Sequence, residues 1–164
     1  MARGGVKTPV TAGVRWLRAH DAVYEERLYR HEEHGGTAVS ARELGVEEHI
    51  IVKTLIMEDD LGAPVIVLMH GDREVSTHAL ARQLKRRSIT PCRPEVAQRH
   101  SGYLVGGTSP FGTHKALPVF AEASIGELPR LYINGGKRGF LVGMTGAELW
   151  RLLKPAPVFA AVEQ

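Results

Sequence analysis

Two features of this 164-residue sequence carry candidate chemistry. One is the stretch Gly102-Tyr103-Leu104-Val105-Gly106-Gly107-Thr108-Ser109-Pro110-Phe111-Gly112-Thr113-His114-Lys115; the other is Lys53, placed within the apolar run 50–57. Tyr103, Leu104 and Val105 predict a short apolar strand that runs into a loop. The adjacent glycines permit backbone angles closed to other residues and let a ligand come close to the main chain. Pro110 fixes its own φ and restricts Ser109 to extended angles. Such a loop can aim successive N–H groups at an anion or a developing oxyanion. Gly and Pro also mark ordinary surface turns, so this stretch alone leaves both readings open. Alternation places Lys53 on the face of Ile51 and Leu55, where an ammonium is costly without a partner or a wet cleft. Either the side chain snorkels to solvent, or it is held on a rigid strand to bind a phosphate or carboxylate.

Other chemistries fit less well. Gly107 and Gly112 have P-loop spacing, but Thr113-His114 stands where that motif needs Lys-Ser/Thr for the phosphates and magnesium. Ser109 is not in a GxSxG elbow. Cys92, flanked by Pro91, Arg93 and Pro94 with His100 eight positions on, reads as a structural thiol or half of a Cys–His pair. His31-Glu32-Glu33-His34 lacks the HExxH spacing and reads as a solvated loop. No paired carboxylates with metal spacing occur, so neither a metal nor a cofactor is expected.

The elements that must position these groups follow from periodicity. Residues 11–19 predict a first helix and residues 23–31 a half-exposed strand. Residues 40–44 predict a short helix ended by Gly45. Residues 50–57 and 64–70, joined by Asp59, Asp60 and Gly62, predict a central hairpin covered on both faces. A helix over 76–86 starts at the N-cap Ser76, and its terminal Lys-Arg-Arg complements the helix dipole. A further helix covers 94–100, with Pro early and Gly102 past its end. Residues 117–120 predict a strand. Residues 131–134 and 138–142 predict a hairpin around Gly135-Gly136-Lys137. Thr145 and Glu148 form a capping box opening a last helix, stopped before Pro155. Gly4-Gly5 suggests a loose leader.

Length and composition point to one domain, residues 1–164, able to bury a real core. A single cysteine excludes an intramolecular disulfide and a Cys-rich zinc site. No apolar run opens the chain or approaches membrane-spanning length, so a cytoplasmic protein without a membrane partner is expected. The net charge of +3 hides an asymmetry: residues 1–60 hold 8 Lys/Arg and 11 Asp/Glu, the remainder 13 and 7. The basic part would attract a polyanion such as nucleic acid, or is simply a solvated face.

Val52-Lys53-Thr54-Leu55, Gln98-Arg99, the block from Gly102 to Gly112, and Gly135-Gly136-Lys137-Arg138-Gly139 together resemble the YbaK family of aminoacyl-tRNA deacylases. That family is related to the editing domain inserted in bacterial prolyl-tRNA synthetases, and the resemblance runs from about Tyr29 to the terminal helix. It implies a mixed α+β (α/β) fold, with a barrel-like mixed β-sheet surrounded by helices. It also implies trans-editing: cleavage of the ester linking an amino acid to the tRNA 3′ end, as for Cys-tRNA(Pro) or another small amino acid. The family's Gly-x-x-x-Pro loop maps onto Gly106, Gly107, Thr108, Ser109 and Pro110, and its essential lysine onto Lys53. Tyr29, Asn134, Gly135, Gly136 and Leu141 map near the substrate. Groups of the substrate itself are expected to assist, by hydrolysis or by cyclisation of a substrate thiol. The implied partners are aminoacylated tRNA and prolyl-tRNA synthetase or another synthetase. Asn134 and Leu141 replace the Ser and Asp of cysteine-preferring members, leaving alanine, proline and serine esters open. The rival readings are a non-catalytic module binding tRNA or a synthetase, and hydrolysis of small nucleotide esters without tRNA. Oligomeric state is not specified by the sequence.

Overall fold

The computed structural model describes residues 7–163, so the leader expected at Gly4-Gly5 lies outside the described residues. The hairpin of β2 (Ile51–Asp59) and β3 (Pro64–His70) is the centre of a mixed sheet. On one side stand β7 (Leu131–Lys137), β8 (Phe140–Met144) and β1 (Glu25–Leu28); on the other, β6 (Val119–Glu122) and β9 (Ala156–Val158). β5 (Ile89–Pro91) also pairs with β2, and β4 (Arg73–Val75) with β10 (Ala161–Glu163) forms a separate ribbon. Among the described residues no ladder joins β1 to β9, so the strands follow an open path.

Both faces of β2 are covered, as its near-continuous apolar sequence requires. Val52 and Ile56 face the main core, with Ile66, Leu68, Phe111, Phe140 and, from α1 (Ala12–Ala19), Val14 and Leu17. Each large side chain so buried stabilises by roughly 1.5–3 kcal/mol. The opposite face splits in two. Ile51 packs with Ala41 of α2 (Gly36–Leu44), Tyr132 and Leu141. Leu55 and Met57 pack with Leu80 of α3 (Thr77–Leu84) and Ile89. Lys53 falls between these two clusters, with no apolar neighbour set of its own.

Local chemistry explains where expectation and structure differ. Lys85 takes φ +57° and ends α3, so Lys85-Arg86-Arg87 does not extend the helix. Arg86 instead pairs with Asp59 at 3.5 Å, and the Arg87 N–H donates to Asp60. Residues 103–105 form no strand. The Gly107 N–H donates to the Leu104 carbonyl (2.9 Å), folding the segment into a turn. The late hairpin turns one step beyond the expected glycines, at Arg138-Gly139, and Gly135-Gly136 sits in a β-irregularity between Asn134 and Lys137. Thr145 caps α5 (Gly146–Leu153) as expected, but the Glu148 carboxylate accepts from the distant Val23 N–H (2.7 Å). The short β4, β5, β9 and β10 gave no periodicity to detect. α4 (Pro94–Ser101) and its left-handed Gly102 stand where the sequence puts them.

Asp59 closes the β2–β3 turn. Its buried Oδ1 accepts from Leu61 N and Ala63 N, both at 2.9 Å. Those bonds, chiefly the one from Ala63, hold its pKa below the usual carboxylate range. A depressed folded-state pKa contributes stability above the unfolded value near 3.9, lost as pH falls through the folded value. Thermal melts should show Asp59→Ala lower by several degrees at neutral pH. Asp59→Asn, which keeps an Oδ1 acceptor but cannot ionise, should lose less and show a flatter acid limb than wild type.

Candidate functional site

β2 pairs with β7 only at Ile51 and Val52, and with β5 only from Met57 to Asp59. Between them the two neighbours part, and residues 53–56 have a strand partner on the β3 side alone. The gap is a cavity of about 580 Å³, within the range of ligand sites. Side chains from both faces of β2 line it, including Lys53 and Thr54. The loop residues 31–34 and Val105, Gly106 and Thr108 lie across from them in the same cavity.

The expected site residues separate into two groups. Lys53, Gly106, Thr108, Tyr29, Asn134 and Leu141 all line the cavity. Gly107, Ser109, Pro110, Gly135 and Gly136 do not; Pro110 is buried, and the other four support the walls instead. A Cβ on Gly107 would stand 2.8 Å from the Arg138 nitrogen and 3.0 Å from the Lys137 carbonyl carbon. Ser109 is fully buried, its hydroxyl accepting from Phe111 N (3.1 Å). Gly135 lies against the Phe140 ring, and Gly136 against Tyr103 and Thr11.

Hydrogen bonds fix the loop tightly. Tyr103 donates its hydroxyl to the Phe111 carbonyl, and burial pushes its pKa up to about 12. The His114 N–H closes the segment on Ser101 (3.0 Å). Asn134 spends its amide on structure: Oδ1 accepts from Gly136 N and Lys137 N, and Nδ2 donates to the Gly106 carbonyl (3.2 Å). Arg138 Nε donates to the Val105 carbonyl (2.9 Å). The Gly107 N–H is spent within the turn, so the loop does not present a continuous row of donors. The N–H groups of Val105, Gly106 and Thr108 have no hydrogen-bond partner among the described residues. They are the loop's available donors at the cavity.

The Lys53 ammonium donates to the Arg73 carbonyl on β4. Desolvation pulls its pKa below that of an ordinary lysine, while Glu74, Glu48 and Asp72 oppose the shift. This cation is therefore held in an acidic setting with a main-chain partner.

Three features escaped sequence reasoning. Thr54 has a buried hydroxyl oxygen with no hydrogen-bond partner among the described residues. Its position beside Lys53 on an apolar strand gave no hint of that. Cys92 lines the cavity, with a thiol pushed up to about 11 by burial and by Glu58. It is therefore a neutral wall group, and His100 bonds Lys115 (2.8 Å) instead. His70 Nε2 accepts from Ser124 Oγ (2.7 Å), its Nδ1–H being committed to the His49 carbonyl (2.8 Å). That serine–histidine pair lies outside the cavity lining. No group of three or more metal-ligating side chains occurs among the described residues.

The site is thus an open mixed sheet whose gap brings a lysine and a glycine-turn loop to one cavity. Residues 31–152 match the aminoacyl-tRNA editing domain, and the chain belongs to that family. It is similar to EbsC of Enterococcus faecalis, provisionally named a Cys-tRNA(Pro)/Cys-tRNA(Cys) deacylase: 26% identical, over 80% of this chain and 81% of that one. It is also 33% identical to a proline–tRNA ligase of Nitratidesulfovibrio vulgaris over 64% of this chain, covering 17% of the ligase. A crystal structure provisionally described as a trans-editing enzyme for prolyl tRNA synthetase shares the fold, with a TM-score of 0.81, 19% identity and coverage of 94% and 99%. So does that of the hypothetical protein APE2540, with a TM-score of 0.84, 21% identity and coverage of 92% and 99%.

Thr54→Val separates a cavity group from a structural one. A hydroxyl that holds the fold together would cost about 1–3 kcal/mol on removal. Because Thr54 has no protein partner, the valine variant should differ from wild type by less than about 1 kcal/mol in denaturant unfolding. Gly107→Ala, by contrast, meets backbone on the hairpin and should lower the melting temperature.

Proposed function

We propose that this protein is a trans-editing aminoacyl-tRNA deacylase that removes a small amino acid from mischarged tRNA in the cytoplasm. The observation that carries this reading is the shared cavity: one lysine and the unsatisfied loop N–H groups of Val105, Gly106 and Thr108, with the Cys92 thiol held neutral among its walls. An ester is the natural substrate for such a set, because its carbonyl needs donors and its leaving ribose needs positioning. The Gly106 and Thr108 N–H groups would polarise the ester carbonyl and hold the tetrahedral oxyanion. Each such donor is worth about 3 kcal/mol of transition-state stabilisation. Water adds to the carbonyl carbon, the bond to the ribose oxygen breaks, that oxygen takes a proton, and the free amino acid leaves. In a cysteinyl ester the substrate's own thiol could add in place of water.

Lys53 suits a neutral oxygen better than a phosphate. Glu48, Asp72 and Glu74 would repel a phosphodiester, whereas a ribose hydroxyl or ester oxygen accepts from the ammonium without that cost. Leu141 and the protonated Cys92 give the cavity apolar walls, which suits a small uncharged amino-acid side chain. Such a surface discriminates by only about 1–3 kcal/mol per methylene, so cysteinyl, alanyl, prolyl and seryl esters are all candidates. Prolyl-tRNA synthetase, whose relatives carry a similar domain, is the synthetase partner this reading favours.

Incubation with a panel of aminoacylated tRNAs should release amino acid from at least one small-residue member. Lys53→Ala should lower kcat/KM at least a hundredfold, on the order of 3 kcal/mol, with its melting curve retained. Release from no member of the panel would leave a binding module, and full activity in a folded Lys53→Ala protein would remove that side chain from the reaction.

A further inference from the structure

A second cavity of about 490 Å³ adjoins the first: Tyr29, His31 and Arg138 line both. Its other walls include Lys7, Lys137, Gly139 and Phe140, and no carboxylate residue is among them. Elsewhere some arginines have an acidic partner, as with Arg42 and Glu32, Arg130 and Glu25, or Arg151 and Glu148, while Arg15, Arg82 and Arg99 stand singly on the surface rather than sharing a cavity. Lys7, Lys137 and Arg138 have none among the described residues. Three cationic side chains thus converge on one concave surface with their charge uncompensated. That is unfavourable in the free protein unless an anion completes it.

The site is built on a rigid frame. Lys137 and Arg138 stand at the tip of the β7–β8 hairpin, where Asn134 Oδ1 accepts the Lys137 N–H (3.1 Å). The same Asn134 reaches the Gly106 carbonyl, and Arg138 reaches that of Val105. An anion bound here is therefore held in fixed register with the loop donors of the first cavity.

We infer that this second cavity is a phosphodiester subsite, receiving the internucleotide phosphate next to the 3′-terminal nucleoside of an RNA whose aminoacylated end lies in the first cavity. The inference rests on the deacylase reading for the occupant of the first cavity. It divides labour by charge: Lys53, ringed by acids, meets neutral oxygens, while the hairpin cations meet the backbone charge. A cationic groove that tracks the backbone is the general solution for single-stranded nucleic acid.

The test compares binding of the dinucleotide rCpA with its methylphosphonate analogue, whose linkage carries no charge, by calorimetry at several salt concentrations. Wild type should bind the phosphodiester at least fivefold more tightly, with a salt slope steeper by about 1. Lys137→Glu should erase that difference, and Lys7→Glu provides the same reading should the first variant fail to fold. Equal affinity of wild type for the two probes would overturn the subsite, even if deacylation is observed. Charge-dependent binding that Lys137→Glu and Lys7→Glu both leave intact would overturn it as well. Charge-dependent binding lost in the variants, with no deacylation of any aminoacyl-tRNA, would support the subsite and count against the deacylase reading alone.

Discussion

The structure depends on a strand that loses its partner half-way along. β2 is hydrogen-bonded to β3 over most of its length, but β7 and β5 each hold only one end of its other edge. A gap in the middle of a sheet leaves polar backbone and apolar side chains without a neighbour, which is expensive in a core. Here that opening is the cavity, and the groups with unfinished bonding collect at it. Lys53, Thr54 and the Gly106–Thr108 turn are each unusual locally. Together they describe a space waiting for a polar ligand with an apolar end.

Much of this was legible in the chain. The β2–β3 hairpin, α1, α4 and the first turn of α5 announced themselves through apolar spacing and caps, because their stabilisation is local or lies along one face. Lys53 stood out because an ammonium contradicts its strand. The glycine loop stood out because of its backbone freedom. What could not be read was the division of labour within the motifs. Gly107, Ser109, Gly135 and Gly136 sit beside cavity-lining residues in sequence, yet they hold walls together. Only the packing partners distinguish them: the backbone of Lys137 and Arg138 for Gly107, and the Phe140 ring for Gly135. Likewise residues 103–105 looked like a strand because their side chains are apolar, although no neighbouring strand is there to pair with them.

The electrostatic pattern follows the same logic. The sequence divides into an acidic first third and a basic remainder, and the fold brings the two into contact at the cavity mouth. Residues 31–34 come from the first part, and the cationic hairpin from the second. A ligand carrying an ammonium at one end and phosphates at the other would meet complementary charge along its whole length. The family assignment and this charge order are independent observations that favour the same kind of ligand.

Asn134 has a wider consequence. By bonding the bulge of its own strand and the Gly106 carbonyl at once, it rivets two walls of the cleft before anything enters. A vessel with riveted sides does not remould itself to its contents. Accommodating a bulkier or slimmer guest in such a scaffold falls to exchanges of lining side chains, with Leu141 and Cys92 the natural places for tailoring. Diversification would then proceed by swapping upholstery while the frame stays put.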